Sequence, residues 1–236
     1  MFVFDTFNIP KTLDFGGVLI ETREESGSVS YCRSIDEKTV TLLLSSCKQL
    51  RVQPIEPLMT PKELTPYLLV EFENSVFIAP GENMEFNLTF PLEVGVLIPK
   101  DKGWHLLDCF SLAQKKYSLY GDPSSGLLCQ YWKSRWLAKP EDLDALKEGW
   151  LHLKIHNTSN RFVEIKKIVI QAHHMKIFYN ANHAYLSTSM KVVSKNIVEV
   201  ECDPVPFLAD LNKAHEVFVD TNFLGLGQKF MMEGDL

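Results

Sequence analysis

Seven histidines and a block of aromatic and basic residues are the side chains of this sequence best suited to chemistry. His152 and His156 are four apart, a spacing that lets two imidazoles share one metal ion when it falls on a helix. Here Leu151, Leu153 and Ile155 alternate with His152, Lys154 and His156, which is the pattern of a strand. At about 3.3 Å per residue, the two Cα atoms then lie about 13 Å apart, too far to bind one ion. His173 and His174 are adjacent and would point to opposite faces of a strand. Neither a Cys-x-x-Cys pair nor a His-Glu-x-x-His helix occurs, so no metal and no cofactor is assigned. Gly121-Asp-Pro-Ser124-Ser125-Gly126 lacks the spacing of a nucleophile elbow and reads as a tight surface turn. Glu141, Asp142 and Asp144 suit a helix start, and Glu199 and Glu201 suit a strand's wet face. No catalytic residue is assigned.

The stretch 104–136 is the most unusual. It carries Trp104, Lys115, Lys116, Tyr117, Tyr120, Tyr131, Trp132, Lys133, Arg135 and Trp136, and from 113 to 136 it has four basic residues against one acid. Aromatic rings interleaved with cations can stack on sugars and hold a carboxylate or phosphate. The candidate ligand-binding residues are therefore Lys116, Tyr117, Tyr120, Tyr131, Trp132, Lys133 and Arg135. The plainer alternative is that the rings pack at a strand edge while the Lys and Arg stems lie over them.

Composition narrows the classes. The chain has 236 residues, 45% of them hydrophobic, and carries 24 Lys and Arg against 30 Asp and Glu. It is long enough to bury about 70% of its unfolded surface without disulfides or metal. A formal charge of -6 disfavours nucleic acid and anionic membranes as partners. Five widely spaced cysteines, an odd number, fit small buried hydrophobes in a reducing compartment. The first residues show no basic region followed by an apolar run, and no segment approaches the ~20 apolar residues of a membrane helix. A cytoplasmic protein without membrane insertion is the expectation.

The elements that must position these residues are mostly strands. Met84, Phe86, Leu88 and Phe90 alternate with Glu85, Asn87 and Thr89, and Leu68, Val70 and Phe72 alternate with Leu69, Glu71 and Glu73. Strands are expected at 29–35, 39–44, 67–73, 76–79, 84–90, 149–156, 162–171 and around 198–202. Asn74-Ser75, Pro80-Gly81, Asp36-Glu37-Lys38 and Asn157-Thr-Ser-Asn160 supply turns too short for a crossover helix, so meanders of antiparallel neighbours are predicted. Thr60-Pro61-Lys62-Glu63 reads as a capping box, and Pro140 to Gly149 as a helix of about two turns. Phe207, Leu208, Leu211, His215 and Phe218 share a helical face, so a C-terminal helix is expected at about 206–219. The fold class is mainly β, an antiparallel β-sandwich-like architecture with meanders and that one helix. The polar stretch 99–104 is the best seam, giving β-rich halves 1–100 and 101–236 within one compact unit.

Several phrases carry a resemblance. Residues 54–73 (Pro-Ile-Glu-Pro-Leu…Pro-Lys-Glu-Leu-Thr-Pro-Tyr-Leu-Leu-Val-Glu-Phe-Glu), 90–96 (Phe-Pro-Leu-Glu-Val-Gly-Val), 117–134 (Tyr-Ser-Leu-Tyr-Gly…Gly-Leu-Leu-Cys-Gln-Tyr-Trp-Lys-Ser) and the Met-Lys-Ile-Phe-Tyr run at 175–179 resemble an uncharacterised archaeal family, a domain of unknown function. The resemblance is clearest over 50–180. It implies an archaeal, cytoplasmic, β-rich protein and carries over no catalytic residue, cofactor or partner.

Three functions follow in order of weight. The first is a non-enzymatic binding protein that takes a small anionic or sugar ligand, or a partner, through 104–136. The second is a hydrolase acting on a sugar or phosphate, with Asp108, Asp122 and His105 as the nearby acid–base candidates. The third is a homo-oligomeric assembly protein.

Overall fold

The computed structural model describes residues 3–58, 64–100, 103–194, 197–217 and 229–231. The first strands are β1 (Asp5–Asn8), β2 (Lys11–Asp14), β3 (Val18–Glu25), β4 (Ser28–Ile35), β5 (Lys38–Leu44) and β6 (Gln49–Ile55). Next come β7 (Tyr67–Ile78), β8 (Asn83–Pro91), β9 (Glu93–Lys100), β10 (Gly103–Phe110), β11 (Tyr117–Tyr120) and β12 (Leu127–Ser134). The last are β13 (Glu148–Asn157), β14 (Val163–Gln171), β15 (Phe178–Tyr179), β16 (Ala184–Ser194), β17 (Ile197–Cys202), β18 (Asn212–Lys213) and β19 (Lys229–Met231). Helical structure among the described residues is confined to two 3₁₀ turns, Pro140–Asp142 and Ala172–His174, and no helix there is long and apolar enough to cross a membrane.

The strands form four sheets. β2-β3-β4-β5 is a meander, and β1-β6-β9-β10 and β11-β12-β7-β14 are four-stranded. The fourth is seven-stranded: β18-β15-β16-β13-β8, with β17 beside β16 and β19 beside β17. Most pairs are antiparallel, but β12 runs parallel to β7 and β13 parallel to β16. The expected mainly-β fold is what the molecule adopts. One hydrophobic core draws on all four sheets, including Leu13 and Tyr31, Val52 and Val96, Val70 and Ile168, and Leu88, Leu151 and Leu186. Fully burying each such side chain contributes about 1.5–3 kcal/mol.

Several short connections do not make hairpins. β7 leads to β8, and β13 to β14, by crossing from the β7–β14 sheet to the seven-stranded one and back. All four strands carry a strongly apolar face, so each pair stacks face to face and takes its hydrogen bonds from other neighbours. Asn157 holds both crossings. Its Nδ2 donates to the carbonyls of Ile78 (3.0 Å), Ala79 (3.1 Å) and Arg161 (2.8 Å), and its Oδ1 accepts from the Ser159 backbone N–H at 3.0 Å. Its backbone pairs with Gly81 and Glu82, where Gly81 adopts the left-handed φ of 75° that the crossing requires.

Other expectations need correction. Asn74-Ser75 is not a turn: β7 is continuous, and a register shift against β14 between Ile165 and Lys167 absorbs the polar break as a bulge. The expected helix at 140–149 is one 3₁₀ turn followed by a turn at Asp144, because Glu148 and Gly149 are already extended to pair with Pro91 and Phe90. His173 and His174 sit in a 3₁₀ turn rather than a strand. The expected helix at 206–219 is absent over 206–217, which are bends and β18. Phe207 packs on aromatic side chains of the seven-stranded sheet while Leu208 stays exposed, so the presumed helical face is never formed. Residues 218–219 and the Thr60–Glu63 capping box lie outside the described residues. At the 99–104 stretch, β9 and β10 flank residues 101–102 and pair antiparallel.

Polar clamps join the sheets. Asp108, placed by a bulge in β10, accepts the Arg33 guanidinium at 2.6 and 3.1 Å and the Tyr31 hydroxyl at 2.8 Å. Burial and the Asp108 carboxylate push the Tyr31 phenol well above its usual range, so it remains a donor. Buried Glu93 pairs with Lys115, and the Gln53 side chain holds both the N–H and the carbonyl of His215. Glu56 is also buried, with one carboxylate oxygen lacking a hydrogen-bond partner, and burial raises its pKa from 4.5 to about 7.

Two outcomes are expected. Asn157→Ala removes the donor from the buried Ile78 carbonyl and from the part-buried carbonyls of Ala79 and Arg161, and should cost about 2–4 kcal/mol in urea denaturation; a loss below about 1 kcal/mol would mean the crossings are held by other contacts. Glu56 favours its protonated form in the folded state, so its contribution is fully present below pH 4.5 and lost as pH rises through about 7. Glu56→Gln should therefore exceed the wild type by about 3 kcal/mol above pH 7, with the gap closing toward pH 4.5. A gap that does not change with pH would contradict this.

Candidate functional site

The seven residues expected to form a site divide between two faces of the β11-β12-β7-β14 sheet. Tyr131 and Trp132 are consecutive on β12, so they point to opposite sides. Tyr120 and Tyr131 pack with Leu69, Cys129 and Val169 in a small second cluster, with the Lys167 ammonium 5.1 Å from the Tyr120 ring centre. The Tyr131 hydroxyl donates to Glu71 at 2.8 Å, and burial together with that carboxylate pushes its pKa up to about 12. Trp132 packs on the main core and donates to Thr89 Oγ1 at 3.0 Å. Arg135 donates to Glu148 and to the Asp142 carbonyl at 2.5 and 2.7 Å. Lys116, Tyr117 and Lys133 are exposed, and only the Lys116 backbone carbonyl, which accepts from the Tyr131 N–H, joins the others. Among the described residues, the hydrogen bonds and packing of Tyr120, Tyr131, Trp132 and Arg135 lead to different neighbours rather than to one another.

Two of the three acid–base candidates are engaged as well. Asp108 serves the sheet clamp, Asp122 accepts from the N–H and hydroxyl of Ser124 in the 121–126 turn, and His105 lies exposed on β10. Those two bonds hold the Asp122 carboxyl below its usual range.

A polar surface forms instead where β8, β13, β16 and β17 lie side by side. Because Leu151, Leu153 and Ile155 enter the core, Trp150, His152, Lys154 and His156 face outward. Register then places Asn87 opposite His152, Glu85 opposite Lys154 and Asn83 opposite His156. On the other side, Tyr185, Ser187, Ser189 and Lys191 align with the same four β13 residues, and Glu201 and Glu199 follow opposite Ser189 and Lys191. Toward the His156 end this face carries an open depression of about 450 Å³. Asn83 and Glu85 of β8, Lys154 and His156 of β13, Ser189 and Lys191 of β16, and Glu199 and Glu201 of β17 line it.

Hydrogen bonds fix much of this surface. Trp150 Nε1 and His152 Nδ1 approach the same Asn87 Oδ1 at 2.9 and 3.0 Å. Two donors converging on one atom identify it as the amide oxygen and put the histidine hydrogen on Nδ1. Burial, with help from Lys154, lowers the His152 pKa despite Glu85 and Asp203 nearby. Asp203, at the end of β17, accepts from Ser187 (2.5 Å), Ser189 (2.9 Å) and Lys154 (3.1 Å). Burial raises its pKa, but those bonds outweigh it and hold the carboxyl below its usual range. Lys191 pairs with Glu199 at 3.7 Å. Among the described residues, no hydrogen bond or ion pair engages the side chains of Asn83, His156 or Glu201, nor does any group there have the makings of a metal site.

The surface was missed at the sequence level, although His152, Lys154, His156, Glu199 and Glu201 each read as a strand's wet face. The alternation signal was present on every strand; the register that brings those faces together was not. Asp203 ionises below 3.8, so its bonds contribute above that pH and are lost as pH falls through its folded pKa. Asp203→Asn should cost about 1–2 kcal/mol at pH 7, a charge-assisted value discounted for the exposure of Lys154. In urea titrations the difference should shrink below pH 3.8, and a difference constant across pH would contradict the assignment.

Comparison with curated proteins and with solved structures gives no match. Residues 3–233 match one family, described as "Protein of unknown function (DUF432)". That span takes in all four sheets and the outward polar surface, so the chain belongs to the DUF432 family of unknown function.

Proposed function

We propose that this protein is a non-enzymatic binding protein that takes an uncharged, hydroxyl-rich ligand, a sugar, on the outward face of its seven-stranded sheet. The observation that carries this reading is the pocket of about 450 Å³ in which Asn83, His156 and Glu201 offer donors and acceptors that no described residue uses. Such a volume is that of a small-ligand site, and convergent polar groups are what such sites use for orientation. The lining holds Glu85, Glu199 and Glu201 against Lys154 and Lys191, with Asp203 drawing on Lys154. An excess of acid repels phosphates and carboxylates, which favours the sugar over the anionic ligand.

Binding is favoured over catalysis because His152, Asp203 and the buried thiols are engaged or unreactive. Asn87 holds His152, three donors hold Asp203, and burial pushes the thiols of Cys129 and Cys202 up to about 11 and about 12. An archaeal cytoplasm, as the resemblance implies, is part of the same reading, and the five unpaired cysteines support a reducing compartment.

Calorimetric titration with a panel of neutral mono- and oligosaccharides tests it. At least one sugar should bind, and His156→Ala and Glu201→Gln should each weaken it about tenfold with Tm unchanged, the equivalent of one or two hydrogen bonds. A panel without binding, or variants that bind like the wild type, would sink the proposal.

A further inference from the structure

The aromatic end of the same face holds more than the pocket explains. After Asp203 the chain leaves β17 as a strap, and it returns to backbone pairing at Asn212 in β18. Among the described residues, 204–211 form no backbone–backbone hydrogen bond; the anchors are Asp203 N–H to the Ser187 carbonyl and Ala214 N–H to the Ile177 carbonyl, both 2.9 Å. Val205 and Leu208 stay exposed, at 65% and 41%. Phe207 turns in. Its ring stacks on His152 at 4.7 Å and 24°, and its centre lies 5.9 Å from those of both Trp150 and Tyr185.

The walls of that recess are held independently of the strap. Asn87 fixes the Trp150 and His152 rings, and Asn180 donates to the Tyr185 hydroxyl at 3.1 Å. Rings immobilised by their own hydrogen bonds form a preorganised platform, and the apolar face of a sugar ring stacks on such a platform. From Trp150 the outward residues of β13 run through His152 and Lys154 to His156 in the pocket, six residues and about 20 Å along the strand.

We infer that the recess between Trp150, Tyr185 and His152 is a ring-binding subsite, which Phe207 fills as an intramolecular stand-in. The ligand is then a linear oligosaccharide that lies along β13 from this recess to the pocket at His156. This rests on the sugar-binding reading above and names the length of the ligand and what competes with it. While Phe207 occupies the recess, the binding-competent fraction of the protein is reduced, and apparent affinity falls by that fraction.

Titration of the full chain with glucose, mannose, maltotetraose, cellotetraose and mannotetraose separates the two claims. One tetrasaccharide should bind at least about tenfold tighter than its monosaccharide. Phe207→Ala should tighten the tetrasaccharide about fivefold and leave the monosaccharide unchanged, and should shift Trp150 emission to the red. Phe207→Leu, which keeps apolar volume, should tighten it less and decides the matter if the alanine variant does not fold. Equal affinity for mono- and tetrasaccharide, or tetrasaccharide affinity unchanged or weakened in folded Phe207 variants, overturns the subsite. In that case a His156→Ala variant that still weakens wild-type binding leaves the pocket standing. Absence of binding to any of the five sugars, with His156→Ala silent across the wider panel, overturns both.

Discussion

Asn157 satisfies, with a single amide, the backbone of two crossings between sheets. The chain passes from one layer to the other at 79–82 and again at 158–162; strand hydrogen bonding is interrupted at both places, and the Ile78 carbonyl at the start of the first lies buried. A buried carbonyl without a partner costs about 1–3 kcal/mol. One buried side chain with two donors and an acceptor removes that cost. The apolar alternation of β13 puts Leu151, Leu153 and Ile155 on the face that the β7–β14 layer covers. The opposite face, with His152, Lys154 and His156, is the one left to solvent.

The other buried polar groups act in the same way. Asp108 binds Arg33 and Tyr31 across two sheets, Lys115 answers Glu93, and Gln53 presents its amide to His215 as if it were a neighbouring strand. Each lies where apolar packing alone would tolerate several arrangements, and each accepts only one. Such groups contribute modestly to net stability but strongly penalise misdocking, because a misplaced charge or amide loses its partner without regaining water. Glu56 is an exception, with an oxygen left unpartnered and a pKa raised by burial.

The outward face combines rigidity and vacancy. At the Trp150 end, Asn87 and Asn180 immobilise the rings and the chain's own Phe207 covers them. At the His156 end, polar groups line an open depression. Lys154 pairs with Asp203 and Lys191 with Glu199, which leaves acid in excess along the pocket lining. This arrangement supports the binding function proposed above.

Strand character, and which residues of a strand face together, was legible in the sequence, because both follow from a period of two that acts between near neighbours. Leu151, Leu153 and Ile155 enter the core as their alternation predicts, and so do Phe86, Leu88 and Phe90. Local pattern failed where a distant contact overrode it: Phe207 left its helical face for His152 and Trp150, and Asn74-Ser75 became a bulge under the register of β14. The aromatic stretch 104–136 looked like one surface because its residues are close in sequence, yet alternation along β12 sends Tyr131 and Trp132 to opposite sides. The polar face was invisible for the converse reason. Its members lie between residues 83 and 203, and only the parallel pairing of β13 with β16, a contact that no local propensity encodes, sets them side by side. The sequence by itself determined the strands and their faces, through interactions a few residues long; the tertiary structure alone decided which wet faces meet, because strand register is a property of pairs of strands.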